Sequence, residues 1–461
     1  MSTPLHIPRV VIAGTASGVG KTTVVVGLTR ALRARGLRVA VFKCGPDYLD
    51  PTYHVRASGY PSQNLDGWMM GRDAVIATFA SAARGADVAL VEGVMGLFDG
   101  ASPTGESGSA AEIAKWLGAP VLLVVDASGM ARTIAAVAHG FVGFDRELDL
   151  AGLFCNRLGS KGHLDLLRKA SSKPPIVGGL PEDASLRFPE RHLGLVRADE
   201  NTVPEVLLDG LGARVTEWCE LEKIVEIARR AAPLESSEVG TPVIASKRCR
   251  IGLAFDEAFH FYYADNLRRL EVLGAELVRF SPFHDHRLPD VHGIYFGGGY
   301  PEVHADALSG NRSMHEDLRA LATAGGPIYA ECGGLMYLAA GIRGLDGRRY
   351  PMVGLIPGEV VMRDRLQALG YVEVETQQHS ILGPAGLRFR GHEFRYSELA
   401  GMPEDAERFY KVRRRRGDRT FFEGYRQGSV LASYVHAHWA SNPLVAEGFV
   451  ESCRRHSENP R

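Results

Sequence analysis

The feature that most constrains this chain is a glycine-rich turn set between a strand and a helix near its start. Residues 9–13 (RVVIA) read as a buried strand; Gly14-Thr15-Ala16-Ser17-Gly18-Val19-Gly20-Lys21-Thr22-Thr23 follow, and a helical pattern then runs through Arg35 to a stop at Gly36. In that context the turn is a phosphate cradle. Glycines let backbone N–H groups face inward, the helix N-terminus adds its dipole, Lys21 reaches the terminal phosphates, and the Thr22 hydroxyl is a ligand for Mg²⁺. Gly14, Thr15, Gly18, Gly20, Lys21, Thr22 and Thr23 are the expected ATP-binding set. A glycine-rich turn that binds nothing is the bland alternative, and the strand before and helix after weigh against it. Further apolar runs at 38–42, 88–91, 120–125 and 150–154 alternate with helix-length segments, which predicts a doubly wound parallel sheet, an α/β fold.

That fold occupies only part of the chain. With 461 residues, 45% of them hydrophobic, there is material for two globular domains. A polar, Gly- and Pro-containing stretch at 234–242 precedes a new strand at 250–254. The expected division is a synthetase domain at 1–236, a linker at 237–249 and a second α/β domain at 250–461. Strands are predicted there at 277–280, 293–296, 327–330 and 352–355, followed by hairpin-like sequence at 413–424. The formal charge is -1, from 53 basic and 54 acidic side chains, which argues against nucleic acid and membrane partners and for small ligands. The basic run 411–416 (KVRRRR) lacks interleaved aromatics and reads as a hairpin tip. No signal-peptide pattern and no membrane-length apolar run is visible, so a cytoplasmic location is expected. The six cysteines show no C-x-x-C spacing, which argues against a disulfide framework or a zinc site.

A phosphoryl-transfer site needs carboxylates for its metal at the ends of neighbouring strands. Glu92 ends the strand at 88–91, and Asp47 and Asp50 lie just beyond the one at 38–42. Each alone reads as a turn or helix cap; together, facing one loop, they point to metal and substrate. Thr22, Asp47 and Glu92 are the expected Mg²⁺ set. Asn156-Arg157, after a later strand, is either a reader of the nucleotide base or a turn.

The second domain carries Tyr329-Ala330-Glu331-Cys332-Gly333-Gly334-Leu335, a strand leading through a tight turn into a helix. This is a nucleophile elbow with sulfur in place of oxygen, in which the helix N-terminus favours the thiolate. The other cysteines read as small buried hydrophobes. Backbone N–H groups of Gly298, Gly299 and Gly333 are the expected oxyanion hole. The base is expected from Tyr434-Val435-His436-Ala437-His438, with His436 preferred.

These motifs resemble known families. The N-terminal loop is similar to that of dethiobiotin synthetase, with Thr15 in the first Gly slot of the commoner P-loop and Gly14 one residue earlier. The second domain resembles the triad glutamine amidotransferases, with two departures: Ala330 replaces the first Gly of the elbow, and His438 stands where a Glu would orient the base. That leaves a Cys-His dyad. His438 either orients His436 or packs at the interdomain face. The fusion of the two halves resembles the CobB/CobQ group of corrinoid amidases over nearly the whole chain. Within that group residues 42–51 (FKCGPDYLDP), 64–66 (NLD), 91–100 (VEGVMGLFDG), 189–195 (PERHLGL) and 391–394 (GHEF) look like the cobyrinate a,c-diamide synthase family.

The resemblance implies a glutamine-dependent carbon–nitrogen ligase of cobalamin biosynthesis. It would use ATP, Mg²⁺ and L-glutamine to amidate the a- and c-acetate carboxylates of cobyrinic or hydrogenobyrinic acid through acyl phosphates. Asp47, Leu49, Asp50 and Asp99 would line the corrinoid side. The resemblance is compatible with a homodimer. Two alternatives stand beside it: the same chemistry on another tetrapyrrole such as Ni-sirohydrochlorin, and a P-loop ATPase binding machine with an inactive C-terminal module.

Overall fold

The computed structural model of the chain describes residues 5–191, 194–234, 246, 248–417 and 419–458. The chain divides into two compact units, Met1–Thr241 and Pro242–Arg461. Most of the linker expected at 237–249 lies outside the described residues, as do His192 and Leu193 of the 189–195 segment.

The first unit is built on β1 (Arg9–Gly14), β2 (Val39–Cys44), β3 (Gln63–Leu65), β4 (Val88–Glu92), β5 (Val121–Asp126), β6 (Leu150–Leu158) and β7 (Ile176–Pro181). They form one seven-stranded sheet in the order β3-β2-β4-β1-β5-β6-β7, parallel at every pairing. β1, β2 and β4 are buried along their whole length, as strands covered on both faces must be. Helix α1 (Lys21–Ala34) starts where the glycine-rich loop ends, and α2 (Asp50–Ser58) follows β2. Because the strands are parallel, their carboxyl ends share one rim, where such folds bind ligands. Register alone makes Lys43 on β2 the direct partner of Glu92 on β4. A short pair, β8 (Glu190–Arg191) and β9 (Gly194–Leu195), lies apart from the sheet.

The second unit contains β10 (Cys249–Ala254), β11 (Phe259–Phe261), β12 (Ala275–Phe280), β13 (Gly293–Phe296), β14 (Gly298–Gly299), β15 (Ile328–Glu331), β16 (Ala339–Arg343), β17 (Arg349–Pro351), β18 (Ile356–Met362), β19 (Ala368–Thr376), β20 (Arg388–Arg395), β21 (Ser397–Ala400), β22 (Arg408–Arg414), β23 (Thr420–Gln427), β24 (Val430–Ser433) and β25 (His436–His438). Its main sheet runs β12-β10-β13-β15-β24-β23-β22-β19-β20-β25. The first five strands pair in parallel and the rest antiparallel. β24 and β25 are separated by only Tyr434 and Val435, yet β25 closes the far edge of the sheet against β20. Two residues cannot span five strand spacings of a flat sheet, so this one curls back on itself. The curl returns the histidines to the neighbourhood of the elbow.

Two expectations need correction. Residues 352–355 are not a strand: Val353 and Gly354 donate to the Tyr337 and Ala339 carbonyls, and Gly354 takes a left-handed φ of 75°. Met352 and Val353 are buried because the segment plugs the core as a turn. The basic run 411–416 is not merely a tip, since it begins within β22, where Arg413 pairs with Glu373 and Arg414 with Glu393. No helix among the described residues is long and apolar enough to cross a membrane.

Candidate active sites

The glycine-rich loop of the first unit is held from several sides. Leu97 N–H donates to the Gly14 carbonyl (2.8 Å) and Thr15 N–H to the Val124 carbonyl (3.1 Å). Lys21 Nζ donates to the carbonyls of Ala16 (3.0 Å) and Met95 (2.6 Å). Burial, with the nearby Lys43 adding to it, lowers the Lys21 ammonium to about 8. Asn156 and Arg157, left open between base reader and turn, brace the loop: Asn156 Nδ2 donates to the Val19 carbonyl (2.8 Å) and Arg157 Nη2 to that of Gly18 (2.7 Å). Gly20 has a φ of 89°, and a Cβ there would collide with the Asn156 amide. That position therefore requires glycine on two counts.

Behind the loop lies a buried charge network that centres on Glu92. Its Oε1 accepts from Thr22 Oγ1 (2.7 Å) and Lys43 Nζ (2.9 Å), and its Oε2 lies 2.6 Å from His54 Nε2. Glu92 and His54 are both 0% exposed, and His54 Nδ1 is 3.1 Å from the Ser62 hydroxyl. Lys43 also pairs with Asp50. Burial opposes the charge on Glu92, but Lys43 and His54 outweigh it and hold the carboxyl well below the usual range. Burial likewise opposes the charge on Lys43, while Asp50, Glu92 and Asp47 keep its ammonium protonated. Asp50 is pushed up to about 8 by burial and then by Asp47, against the pull of Lys43.

A cavity of about 1060 Å³ opens on this rim, lined among others by Lys21, Thr22, Asp47, Leu49, Asp50 and Glu92. The structure thus brings together Thr22 and Glu92 of the expected Mg²⁺ set. Asp47 lines the same cavity, with its carboxylate accepting from the N–H groups of Leu49 (2.8 Å) and Asp50 (2.9 Å). Among the described residues no three His, Cys, Asp or Glu side chains gather as a cage. The donor set still fits Mg²⁺, which is held by one or two carboxylates completed by phosphate oxygens and water. Asp99 turns back to accept from Gly96 N–H (2.9 Å). Lys43 and His54 were not singled out by sequence reasoning. The register of β2 with β4 was the available signal for the first, whereas nothing local marks the second.

In the second unit Cys332 sits at the expected elbow, between β15 and the helix Gly333–Leu338. Its φ of 46° is unusual for a residue with a side chain and is strain of the kind nucleophile elbows hold. Cys332 N–H donates to the Ser433 carbonyl (2.7 Å), and its carbonyl accepts from Met336 N–H (3.0 Å). The side chain is only 7% exposed, its sulfur 3.9 Å from the Phe394 carbonyl oxygen. Burial, reinforced by Glu302, pushes the thiol up to about 12.

The glycines expected to form the oxyanion hole lie beside one another next to Cys332 and the His436 ring. A Cβ on Gly333 would lie 2.8 Å from Gly299 N, and one on Gly298 would strike the His436 ring. His436 is 2% exposed, and burial lowers its imidazole to about 3. Its ring stacks on that of His392, 4.9 Å away at 15°. His438, for which the sequence leaves two roles, is fully buried, its ring 4.5 Å from that of Tyr263 and its Nδ1 accepting from Ala440 N–H (3.4 Å). What ties β25 to the elbow is Glu331, whose carboxylate accepts from Tyr329 Oη (2.9 Å), Tyr295 Oη (3.0 Å) and Ala437 N–H (3.0 Å). The sequence shows Glu331 beside the nucleophile but not this role, which depends on the curl of the sheet.

Comparison with known proteins follows the same division. Residues 10–196 match the CobQ/CobB/MinD/ParA nucleotide binding domain, and residues 250–444 the CobB/CobQ-like glutamine amidotransferase domain. The chain is 54% identical to the cobyrinate a,c-diamide synthase of Leptospira interrogans serogroup Icterohaemorrhagiae serovar copenhageni, over 98% of this chain and 99% of that one. Identity to the enzyme of the same name from Syntrophotalea carbinolica is 49%, over 98% and 100% of the two chains. For that of Priestia megaterium it is 41%, over 97% of each.

Proposed function

The chain belongs to the cobyrinate a,c-diamide synthase family, whose members are glutamine-dependent amidotransferase ligases, and from that premise we propose that it amidates the a- and c-acetate carboxylates of cobyrinic or hydrogenobyrinic acid through acyl phosphates. The observation that carries the reading is the Cys332 elbow with His436 and three glycine backbones around it, in a chain whose other unit holds a phosphate loop. The first supplies ammonia and the second gives it something to attack.

A carboxylate is a poor acyl donor, so its oxygen first takes the terminal phosphoryl group of ATP with release of ADP, and ammonia then displaces phosphate from the acyl phosphate to leave the amide. Lys21 and the loop N–H groups hold the phosphates, while Asn156 and Arg157 keep the loop in shape. Mg²⁺ held at Thr22 and Glu92, with Asp47 at the same cavity, would neutralise phosphate charge. Lys43 keeps a fixed positive charge beneath the site, and His54 holds Glu92 in place. Asp47, Leu49 and Asp50, which line the cavity, face the corrinoid, while Asp99 holds the loop beside it through Gly96.

In the second unit Cys332 attacks the glutamine carboxamide as its proton passes to His436, and the oxyanion is received by N–H groups of Gly298, Gly299 and Gly333. His436 returns the proton to the leaving ammonia. Water, activated by the same imidazole, clears the thioester as glutamate. Thiol and imidazole are both neutral at rest because burial raises one pKa and lowers the other. Charge separation therefore accompanies attack and does not precede it.

The test is turnover of glutamine and ATP with cobyrinic acid, hydrogenobyrinic acid or neither, with the macrocycle followed by mass. The expected result is two amides gained on one of the two acids, with ammonia drawn from glutamine. ATP hydrolysis with no glutamine consumed under any condition would favour a binding machine instead.

A further inference from the structure

A triad amidotransferase fixes the ring of its base with a carboxylate, and this chain has histidine at the corresponding position in sequence. The strand pairing puts another group against the base. β20 and β25 run antiparallel with His392 directly opposite His436, so the two side chains leave the sheet on the same face. Their rings lie 4.9 Å apart at 15°, close to face-to-face. His392 is itself anchored, since its Nδ1 is 3.0 Å from the hydroxyl of Tyr263. Tyr263 is buried at the N-cap of the helix Ala264–Val272, with its ring also against His438. The Cε1 edge of the His436 ring meets the β14 backbone, where a side chain on Gly298 would collide with it. The base ring is therefore covered on one face by a stacked imidazole and abutted at its Cε1 edge by a glycine strand, and turning it out of plane means breaking the stack.

We propose that His392 is a positioning residue for glutamine hydrolysis: anchored by Tyr263, it clamps the His436 ring flat and so takes the orienting part that a carboxylate plays in a triad. The clamp rests on His436 being the base and adds to that reading which residue aims it. Orientation acts on the chemical step, so its loss should appear in kcat and not in glutamine binding.

The experiment is glutaminase kinetics on the full chain carrying His392→Ala, His392→Phe or His436→Ala, with thermal unfolding recorded for each. His392→Ala should lower kcat by about 100-fold while changing KM for glutamine by less than about twofold. His392→Phe keeps a flat ring at the stack but loses the Tyr263 anchor, so its kcat should fall between those of the alanine variant and the parent, about tenfold below the parent. A merely structural role would move the unfolding temperature and would not confine the loss to kcat. His392→Ala with parental kcat, or a folded His392→Phe as impaired as the alanine variant, overturns the clamp. If His392→Ala does not fold, His392→Phe decides alone. His436→Ala with undiminished kcat overturns the assignment of the base itself, which the His392 variants do not address.

Discussion

The two sites of this chain are buried alike and treat charge in opposite ways. In the first unit Glu92 and Lys43 lie deep inside and are held charged, because register makes them partners and His54, Thr22 and Asp50 complete the set. In the second unit burial outweighs the opposite charge at hand, that of Arg395 near Cys332. The Cys332 thiol is driven up and His436 down, and both stay neutral. The difference follows from the chemistry. A site that takes up polyphosphate needs its charges laid out beforehand, whereas a thiol attacking a neutral amide needs charge only as the bond forms.

That contrast can be broken from either side. The largest effect is expected for Glu92→Gln, which leaves the buried Lys43 with Asp50 alone and takes the anion from Thr22 and His54. The first unit should lose about 3–5 kcal/mol of stability by denaturant unfolding, and ammonia-supported synthesis should disappear. Full activity in that variant would show the network to be dispensable. Next comes Lys21→Ala, which should lower ammonia-supported synthesis about 10³-fold by removing a donor to the phosphates, measured as amide formed per ATP consumed.

The neutral site makes a prediction in pH. His436 acts as a base only when unprotonated, and with its pKa lowered to about 3 it stays so across the physiological range. Glutaminase kcat/KM measured between about pH 5 and 9 should therefore show no acid limb near the ordinary histidine value of about 6.5. An acid limb there would mean that the ring is solvated when it works. The smallest effect is expected for Asn156→Ala, which loosens the loop without touching phosphate and should raise KM for ATP about fivefold through one lost hydrogen bond.

What the sequence disclosed follows the same division. The phosphate loop, the elbow and the parallel strands of the first unit were legible because each is local: a strand, a turn of fixed chemistry, a helix. Lys43 and His54 were missed as site residues because their meaning lies in strand register and in packing across 38 residues of chain between His54 and Glu92. The second unit was less legible. Its antiparallel half was reduced to one hairpin, because alternating patterns do not say where a sheet curls. His438 was left between two roles, and its burial beside Tyr263 could not be foreseen before β25 was paired with β20. Glu331 was visible beside the nucleophile, but its three partners come from β13, its own strand and β25. Residues 352–355 were misread because buried apolar residues in a turn look like a strand until Gly354 is seen with positive φ.

The central claim, that one chain carries a glutaminase and a separate ATP-dependent amidation site, is tested most directly by Cys332→Ser. Amide formation on the macrocycle should be followed with glutamine and, in parallel, with ammonium at alkaline pH. The account predicts that glutamine-supported synthesis falls by about 10³-fold or more while ammonia-supported synthesis stays near that of the parent. Equal loss with both nitrogen sources, or no loss with glutamine, would contradict it.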